Sequence, residues 1–260
     1  MSGMQTPELA VTQDGPVLTV TFNRPGQRNA MTFAMYDGLY AACERAASDD
    51  GVRVLVLRGA GDKAFVAGTD IAQFADFSGG EDGVAYEARI TRVINRLEDV
   101  TVPTVAAVRG FCVGAGLAIA AACDLRVATR SARFGVPIAR TLGNCLSMNT
   151  YSLLLFHLGP ARTLDLLLRA RLLSGEDAHG AGFVSELCDD ALDEAVDELV
   201  APLLEHAPLT MWAAKQATVR FRRAGLPDGD DIVERVFGSQ DFRDAVAAFA
   251  SKSRVDWKGR

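Results

Sequence analysis

Two turns rich in small residues offer backbone N–H groups for binding an anion. Residues 64–71 follow a predicted strand, and residues 113–119 follow another predicted strand and open a predicted helix. The first N–H groups of a helix have no intrahelical acceptor and lie at the positive end of the helix dipole, so they stabilise negative charge. The two turns therefore predict a position where an anion binds to backbone N–H groups.

The glycine-rich turn has two other interpretations. Gly114 and Gly116 match the start of a dinucleotide-binding motif, but Ile119 occupies the position of its third glycine and no complete βαβ unit precedes the turn. Close packing of a helix against a strand explains these glycines equally well when the segment is considered alone. An oxidoreductase that binds a dinucleotide here remains an alternative.

Side-chain motifs of several other enzyme classes are missing from the sequence. Neither GxSxG nor GxxxxGK[ST] occurs, which argues against a serine hydrolase and a P-loop protein. The three histidines, His157, His179 and His206, show no metal-ligand spacing. We expect them to be surface or packed residues, and we expect no metal site.

Charge and cysteine content limit the partners. The 260 residues include 27 basic and 33 acidic side chains, a net charge of −6, without a run of Lys or Arg. Phosphate neutralisation needs a concentrated basic face, so nucleic acid is not an expected partner. Five scattered cysteines without a CxxC pair indicate reduced thiols and a cytoplasmic protein. We also expect no signal peptide and no membrane span.

Alternating strands and helices, followed by helices alone, predict an α/β fold with a helical C-terminal region. Predicted strands cover residues 17–22, 52–57, 103–108 and 125–128. Predicted helices cover residues 32–47, 87–98, 114–122, 147–158, 160–169, 191–206, 209–224 and 239–251. Thr32 is expected to cap the first of these helices, and residues 77–83 are expected to form a surface loop.

Several separated motifs, in order along nearly the whole chain, resemble the crotonase superfamily of enoyl-CoA hydratases and isomerases. The resembling segments are residues 23–30, 64–71, 110–124, 134–135, 158–162, 172–182 and 247–252. The resemblance implies a spiral of ββα units over residues 1–200 and a C-terminal helical trimerisation region over residues 201–260. It also implies a homotrimer or homohexamer that binds an acyl-CoA substrate, with coenzyme A as part of the substrate and no separate cofactor.

By position, the resemblance implies that the N–H groups of Thr69 and Ala115 bind the thioester oxygen and stabilise an enolate. A fixed donor needs no reorganisation as charge develops, and one donor contributes about 2.7–4 kcal/mol in a well-studied case. The positions that match coenzyme A contacts are Arg28, Ala67, Asp70, Ile71, Phe249 and Lys252. A solvated surface position explains Arg28 equally well, and helix packing explains Phe249 equally well.

The two glutamates with which hydratases of this superfamily deliver water are missing from the matching positions. Those positions hold Ala118 and Ile138, and a shift of one residue at the second would give Ala139. Asp124 is the one carboxylate between residues 100 and 164, and we interpret it as structural. General acid–base catalysis needs a titrating group within reach of the substrate, so two-glutamate hydration is not expected.

The polar segment at residues 140–147 is expected to border the acyl pocket. Its candidate side chains are Arg140, Asn144, Cys145 and Ser147. Arg140 would bind a substrate carboxylate, whereas the other three would orient a substrate or a water. A nucleophilic Cys145 would need a base, and the nearest histidine, His157, is expected to lie several helical turns away. Capping and subunit packing explain the segment equally well.

The sequence therefore predicts an enzyme, a lyase or isomerase, that processes an acyl-CoA thioester through an enolate. Its proton-transfer residue is not assigned. Two alternatives stay open. One is a protein that binds CoA thioesters without turning them over. The other is a decarboxylase-type member of the superfamily, because decarboxylation of a malonyl-type thioester yields an enolate without removal of a proton.

Overall fold

The computed structural model describes residues 7–251, 253–255 and 257–258, whose strands form two sheets. The strands are β1 (Leu9–Asp14), β2 (Val17–Phe22), β3 (Val54–Gly59), β4 (Ala64–Ala67), β5 (Thr104–Val108), β6 (Phe111–Val113), β7 (Leu125–Thr129), β8 (Arg133–Gly135), β9 (Leu172–Ser174) and β10 (Glu186–Cys188). The order is β1-β2-β3-β5-β7-β10 in the larger sheet and β4-β6-β8-β9 in the smaller one.

From β3 to β8, strands that are consecutive in the chain enter different sheets. β3, β5 and β7 pair in parallel in the larger sheet, and the strands that follow them, β4, β6 and β8, pair in parallel in the smaller sheet. A helix follows each of these strand pairs. The chain therefore winds as repeated ββα units, which confirms the predicted α/β spiral.

Ten helices lie in the described part of the chain. They are α1 (Phe33–Ser48), α2 (Gly80–Glu98), α3 (Ala115–Ala122), α4 (Ile138–Thr141), α5 (Met148–Leu168), α6 (Gly175–Gly180), α7 (Leu192–Glu205), α8 (Pro208–Arg223), α9 (Asp230–Phe237) and α10 (Gln240–Ser251). Thr32 caps α1, since its side chain accepts a hydrogen bond from the N–H of Met35 at 3.3 Å. Gly159, with φ of 71°, interrupts α5 and separates the two helices predicted there.

The predicted loop at residues 77–83 is wrong at its C-terminal end, because α2 begins at Gly80. Gly80 and Gly83 lie where α2 packs against α9. A β-carbon on Gly80 would overlap the carbonyl oxygen of Glu234, and one on Gly83 would overlap the side chain of Phe237. These glycines therefore allow close helix packing instead of forming a loop.

The predicted boundary between residues 200 and 201 falls inside α7, which ends at Glu205. The helices of the C-terminal region, α8 to α10, therefore follow Glu205. Helix α8 is joined to the spiral by an ion pair between Lys215 and Asp124. Asp124 also accepts hydrogen bonds from the N–H and hydroxyl of Thr104 at 2.7 and 2.8 Å, which confirms its structural role.

Strand β4 contains one more residue than β6 over their paired length. Ala64 pairs with Phe111, and Ala67 pairs with Val113. The additional residue is Phe65, whose side chain is fully buried. Because of this bulge, Ala67 at the end of β4 lies beside Val113 at the end of β6.

None of the helices in the described ranges is both long and apolar enough to cross a membrane. All five cysteines are free thiols, as expected from their spacing.

Candidate active site

Two glycine turns lie next to each other at the carboxyl ends of β4 and β6. Gly68 has φ of 85° and Gly114 has φ of 56°, which glycine adopts without the steric cost that a side chain imposes. Each glycine immediately precedes one of the predicted anion-binding residues, Thr69 and Ala115. Both of those residues line the same cavity.

The backbone N–H groups of Thr69 and Ala115 have no hydrogen-bond acceptor among the residues that the structure describes. Adjacent N–H groups are occupied: that of Asp70 donates to Met31 and that of Gly114 to Gly135, both at 2.9 Å. Ala115 is the first residue of α3, so its N–H also lies at the positive end of a helix dipole. Both N–H groups are available to an oxygen atom of a ligand.

A cluster of three hydroxyl groups holds the Thr69 turn. The hydroxyl of Thr69 lies 2.7 Å from that of Tyr36 on α1 and 2.6 Å from that of Tyr86 on α2. Burial raises the pKa of both tyrosines well above the usual value, so both hydroxyls stay protonated at neutral pH. The ring of Phe74 packs edge-on against Tyr86 at 5.0 Å between centroids. This cluster ties α1 and α2 to the turn.

The cavity beside the two turns is lined mainly by apolar side chains. The apolar residues around it include Ile71, Phe74, Ile90, Val113, Ala118, Ile138, Leu142 and Leu146. Ala118 and Ile138 therefore lie in the site without a titrating group, and Ala139 is exposed. Among the described residues of the lining, none is Lys or Arg.

Glu87 on α2 supplies the one carboxyl group in the described lining of the cavity. Its side chain is buried, and one carboxyl oxygen accepts a hydrogen bond from the N–H of Ser147 at 2.8 Å. Burial raises the pKa of Glu87 to about 7, although the hydrogen bonds from Ser147 act in the opposite direction. A carboxyl that titrates near neutral pH is suited to both accepting and donating a proton.

This carboxyl was not predicted, because the search for acids covered residues 100–164 and Glu87 precedes them. Its signal was present in the helix pattern. Ile90 and Ile94 follow Glu87 at helical spacing and are buried with it, so Glu87 occupies the apolar face of α2. A carboxylate on an apolar helix face is rarely buried without a partner or a function.

The structure brings some of the predicted coenzyme A residues to the cavity. Ala67 and Ile71 line it. Arg28 is exposed beside this region: its carbonyl oxygen accepts from the N–H of Ala67 at 3.1 Å, and its guanidinium lies 5.2 Å from the ring centroid of Phe111. Arg28 is therefore placed at the rim, with its charge in solvent.

The other predicted coenzyme A residues lie elsewhere. Asp70 pairs with Arg24 at 2.9 Å and accepts a hydrogen bond from the N–H of Ala72 at 3.2 Å, which gives it a structural role next to the site. Phe249 on α10 is 60% exposed and outside the described lining, so packing within this chain does not explain it. Lys252 lies outside the described residues.

Arg140, which was predicted to border the pocket, does not contribute to the described lining of the cavity. Arg140 is exposed and absent from the described lining, because α4 turns Ile138, Thr141 and Leu142 toward the cavity and Arg140 away from it. Asn144 does line the cavity. Its Oδ1 is buried and has no partner in the described structure, while its Nδ2 donates weakly to the carbonyl of Cys145 at 3.4 Å.

A nucleophilic Cys145 is also excluded. Its thiol is buried near the carbonyl of Ile232 at 3.9 Å, and burial raises its pKa to about 12, so the thiolate is not populated near neutral pH. His157 contacts Ala121 through Nε2 at 2.9 Å and lines a different cavity. Ser147 caps α5, accepting from the N–H of Thr150 at 3.3 Å, as the capping interpretation predicted.

The strand order does not favour a dinucleotide at Gly114 and Gly116. β6 lies between β4 and β8, its neighbours in the winding of the chain. Dinucleotides bind open sheets where the strand order reverses, and no reversal occurs at β6.

Comparison with known proteins gives consistent relatives. The model of the enoyl-CoA hydratase/isomerase family matches residues 12–260. The chain is 32% identical to the 2,3-dehydroadipyl-CoA hydratase of Escherichia coli strain K12, over 97% of this chain and 99% of that protein. It is 28% identical to the short-chain-enoyl-CoA hydratase of Clostridium acetobutylicum, over 97% of this chain and 98% of that protein.

Solved structures share the fold. An enoyl-CoA hydratase/carnithine racemase from Magnetospirillum magneticum matches with a TM-score of 0.80 and 29% identity, over 98% of this chain and 97% of that one. A methylmalonyl-CoA decarboxylase in complex with 2-nitronate-propionyl-CoA matches with a TM-score of 0.88 and 21% identity, over 97% of this chain and 99% of that one. At that identity the second likeness concerns the fold alone.

Proposed function

Because the chain belongs to the enoyl-CoA hydratase/isomerase family, we propose that it acts on acyl-CoA thioesters through an enolate bound by the N–H groups of Thr69 and Ala115. The observation that carries this proposal is the pair of unoccupied N–H groups on one wall of an apolar cavity. An enolate oxygen carries more negative charge than the thioester carbonyl from which it forms. Fixed donors in a water-poor site therefore stabilise the enolate more than the substrate.

The acyl group would occupy the apolar cavity, and the coenzyme A moiety would leave it past Ala67 and Ile71 toward Arg28. Arg28 is the exposed cation at that rim and would pair with a phosphate of coenzyme A. Coenzyme A enters as part of the substrate in this scheme, and the residues of the cavity need no further cofactor for enolate formation.

We also propose that the active species is a homotrimer or a dimer of trimers. Large apolar side chains are exposed on α5, α8 and α10, namely Leu164, Leu168, Leu209, Phe221 and Phe249. Exposed apolar side chains in such number mark protein interfaces more often than solvent-facing surface. Phe249 would then contact coenzyme A or a neighbouring subunit across the boundary. Light scattering coupled to gel filtration tests this assembly.

The decarboxylase alternative has less support. A malonyl-type substrate carries a carboxylate, and the described lining of the cavity contains neither Lys nor Arg to bind it. A protein that binds thioesters without turnover remains the rival of a different class. The two are separated by incubating the purified protein with crotonyl-CoA, a 3-enoyl-CoA and methylmalonyl-CoA and following each thioester. Tight binding without turnover of any of them would favour the rival.

The donor assignment is tested by Ala115→Pro. Proline is well tolerated at the first position of a helix, where Ala115 lies, so the variant removes the N–H with little change in backbone. Loss of one such donor lowers kcat by roughly 10²–10³ in a well-studied case, and a similar loss is expected here. The matched control is Gln240→Pro, at the first position of α10, which is expected to retain turnover. Equal turnover of the two variants would contradict the assignment.

A further inference from the structure

We propose that Glu87 carries the proton in this site and that the reaction is migration of a double bond along an enoyl-CoA thioester. This inference rests on the function proposed above and names its acid–base residue and its reaction. It stands on the position of Glu87 in the cavity, on the contacts that fix α2, and on the absence of a second carboxyl group in the described lining.

The contacts of α2 place Glu87 beside the turn that carries Thr69. Tyr86, the preceding residue, bonds the hydroxyl of Thr69 at 2.6 Å. On the other side, the N–H of Ser147 donates to Glu87 at 2.8 Å. Thr91, one helical turn later on α2, donates to the hydroxyl of Ser147 at 3.1 Å. The carboxyl is therefore held between the Thr69 turn and the start of α5.

No other described residue in the lining is suited to carrying a proton. Ala118 and Ile138 have no titrating group, and the hydroxyl of Tyr86 is engaged with Thr69. Asn144 presents an unpaired amide oxygen, which accepts a hydrogen bond but does not titrate. Water addition in the two-carboxyl manner needs one group to activate water and another to protonate the substrate. Double-bond migration needs one group that removes a proton and returns it.

The proposed reaction conserves atoms and charge. The carboxylate of Glu87 takes a proton from C2 of a 3-enoyl thioester. The C–H electron pair becomes part of a dienolate, whose negative oxygen is bound by the N–H groups of Thr69 and Ala115. The protonated Glu87 then donates the same proton to C4. The double bond moves from C3–C4 to C2–C3, the thioester carbonyl re-forms, and the carboxylate is regenerated without a co-reactant.

The test compares four proteins with trans-3-hexenoyl-CoA as substrate: wild type, Glu87→Gln, Glu87→Asp and Glu81→Gln. Formation of the conjugated 2-enoyl thioester is followed by absorbance, and affinity for hexanoyl-CoA is measured by calorimetry. Gln retains an oxygen that accepts the Ser147 N–H, so the fold is expected to persist. Glu81→Gln is the matched control, because it makes the same acid-to-amide change on the same helix at an exposed position outside the described lining of the cavity.

Glu87→Gln is expected to lower the isomerisation rate by about 10²–10⁴-fold while retaining affinity for hexanoyl-CoA. Glu87→Asp is expected to recover part of the rate, and Glu81→Gln is expected to retain the full rate. Isomerisation by Glu87→Gln at the wild-type rate would overturn the role of Glu87. If wild type hydrates crotonyl-CoA faster than it isomerises trans-3-hexenoyl-CoA, the proposed double-bond migration is overturned.

The two levels of proposal fail in different ways. If wild type neither binds nor converts any of the thioesters, the proposed function fails and this inference fails with it. If wild type converts them and Ala115→Pro impairs conversion while Glu87→Gln does not, the enolate proposal stands and the assignment of Glu87 is refuted.

Discussion

A β-carbon on Gly114 would lie 3.4 Å from Cα of Gly68, so the two turns that precede Ala115 and Thr69 are in direct contact. Gly114→Ala should therefore disturb the anion site from both sides. Its φ of 56° and ψ of −121° are strained for a residue with a side chain, at a cost of about 1–3 kcal/mol. Misplacement of reacting groups by about 1 Å lowers rates by on the order of 10²-fold, so turnover should fall markedly.

The control for this variant is Gly182→Ala. Gly182 also has positive φ, 76°, but a β-carbon there meets no atom within 4 Å, and Gly182 lies outside the described cavity lining. Thermal denaturation should show a loss of stability in both variants, whereas steady-state kinetics should show a loss of turnover in Gly114→Ala alone. Comparable turnover in both would show that contact between the turns is unimportant for catalysis.

The isomerisation rate should depend on the ionisation of Glu87. Burial raises its pKa to about 7, and the carboxylate is the form that removes a proton. The value of kcat/KM should therefore rise as pH increases through about 7 and then level off. Titratable groups near Glu87 have raised pKa values and stay neutral in this range; they are Tyr36, Tyr86, Cys145 and Tyr151. A pH–rate profile without this rise would contradict the prediction.

Asn144→Leu should separate stability from function. The buried Oδ1 of Asn144 has no partner among the described residues, and such a group costs about 1–3 kcal/mol. A leucine of similar size removes that cost, so urea unfolding should show equal or greater stability. If the amide oxygen binds a donor of the substrate, kcat/KM should fall in the same variant. A variant that is less stable than wild type in urea but has an unchanged kcat/KM would contradict both expectations.

His157 should make the fold sensitive to acid. Burial, with a smaller contribution from the charge of Arg126, lowers its pKa from 6.5 to about 4. The neutral ring is the folded form, and its Nε2 bonds the carbonyl of Ala121 at 2.9 Å. A lowered pKa contributes stability that is complete above about 6.5 and is lost as pH falls through about 4, on the order of 2–3 kcal/mol in all.

The measurement is urea unfolding of wild type, His157→Gln and His206→Gln over this pH range. Gln keeps a hydrogen-bond donor for Ala121 but does not titrate, so His157→Gln should flatten the acid limb of the stability curve. His206 is exposed and serves as the control, whose replacement should leave the curve unchanged. An unchanged acid limb in His157→Gln would assign the sensitivity to other groups.

Asp124→Asn should destabilise the fold without affecting the chemistry of the cavity. It leaves the buried ammonium group of Lys215 without its counter-ion, and breaking a buried pair in this way costs about 3–5 kcal/mol. Asp189→Asn removes an exposed partner of Arg130, and water screens such a pair, so its loss is expected to change stability little. Chemical denaturation of the two variants should show this difference, with turnover per folded molecule unchanged in both. Lost turnover in folded Asp124→Asn would give Asp124 a second role.

The long elements could be predicted from sequence because their patterns extend over many residues. Helices such as α7 and α8 appeared within one residue of their predicted bounds. Strands β6 and β8 were missed, because three residues are too few to show alternation and their pairing depends on neighbours distant in the chain. Helix α9 was missed as well. The role of Gly80 and Gly83 in packing α2 against α9 was therefore not recognised.

The residues of the site likewise include some that could be predicted from the sequence and some that could not. Thr69 and Ala115 could be predicted because small-residue turns have a local signature and a family position. Glu87 could not be predicted from the segments that resembled the superfamily, since its place in the cavity depends on how α2 packs against α9 and the Thr69 turn. The positions of Arg140 and Cys145 outside the described lining could not be predicted for a related reason: polarity in a segment does not show which side of a short helix faces inward.

The bulge at Phe65 has a consequence for how this chain tolerates change. Because β4 uses one more residue than β6 to cover the same distance, Thr69 and Ala115 each stand two residues beyond the last paired residues, Ala67 and Val113. Substitutions along β4 preserve that alignment, whereas a deletion or insertion of one residue shifts one donor past the other with every side chain still present. Length variation in β4 is therefore more damaging to the enolate site than variation in residue identity.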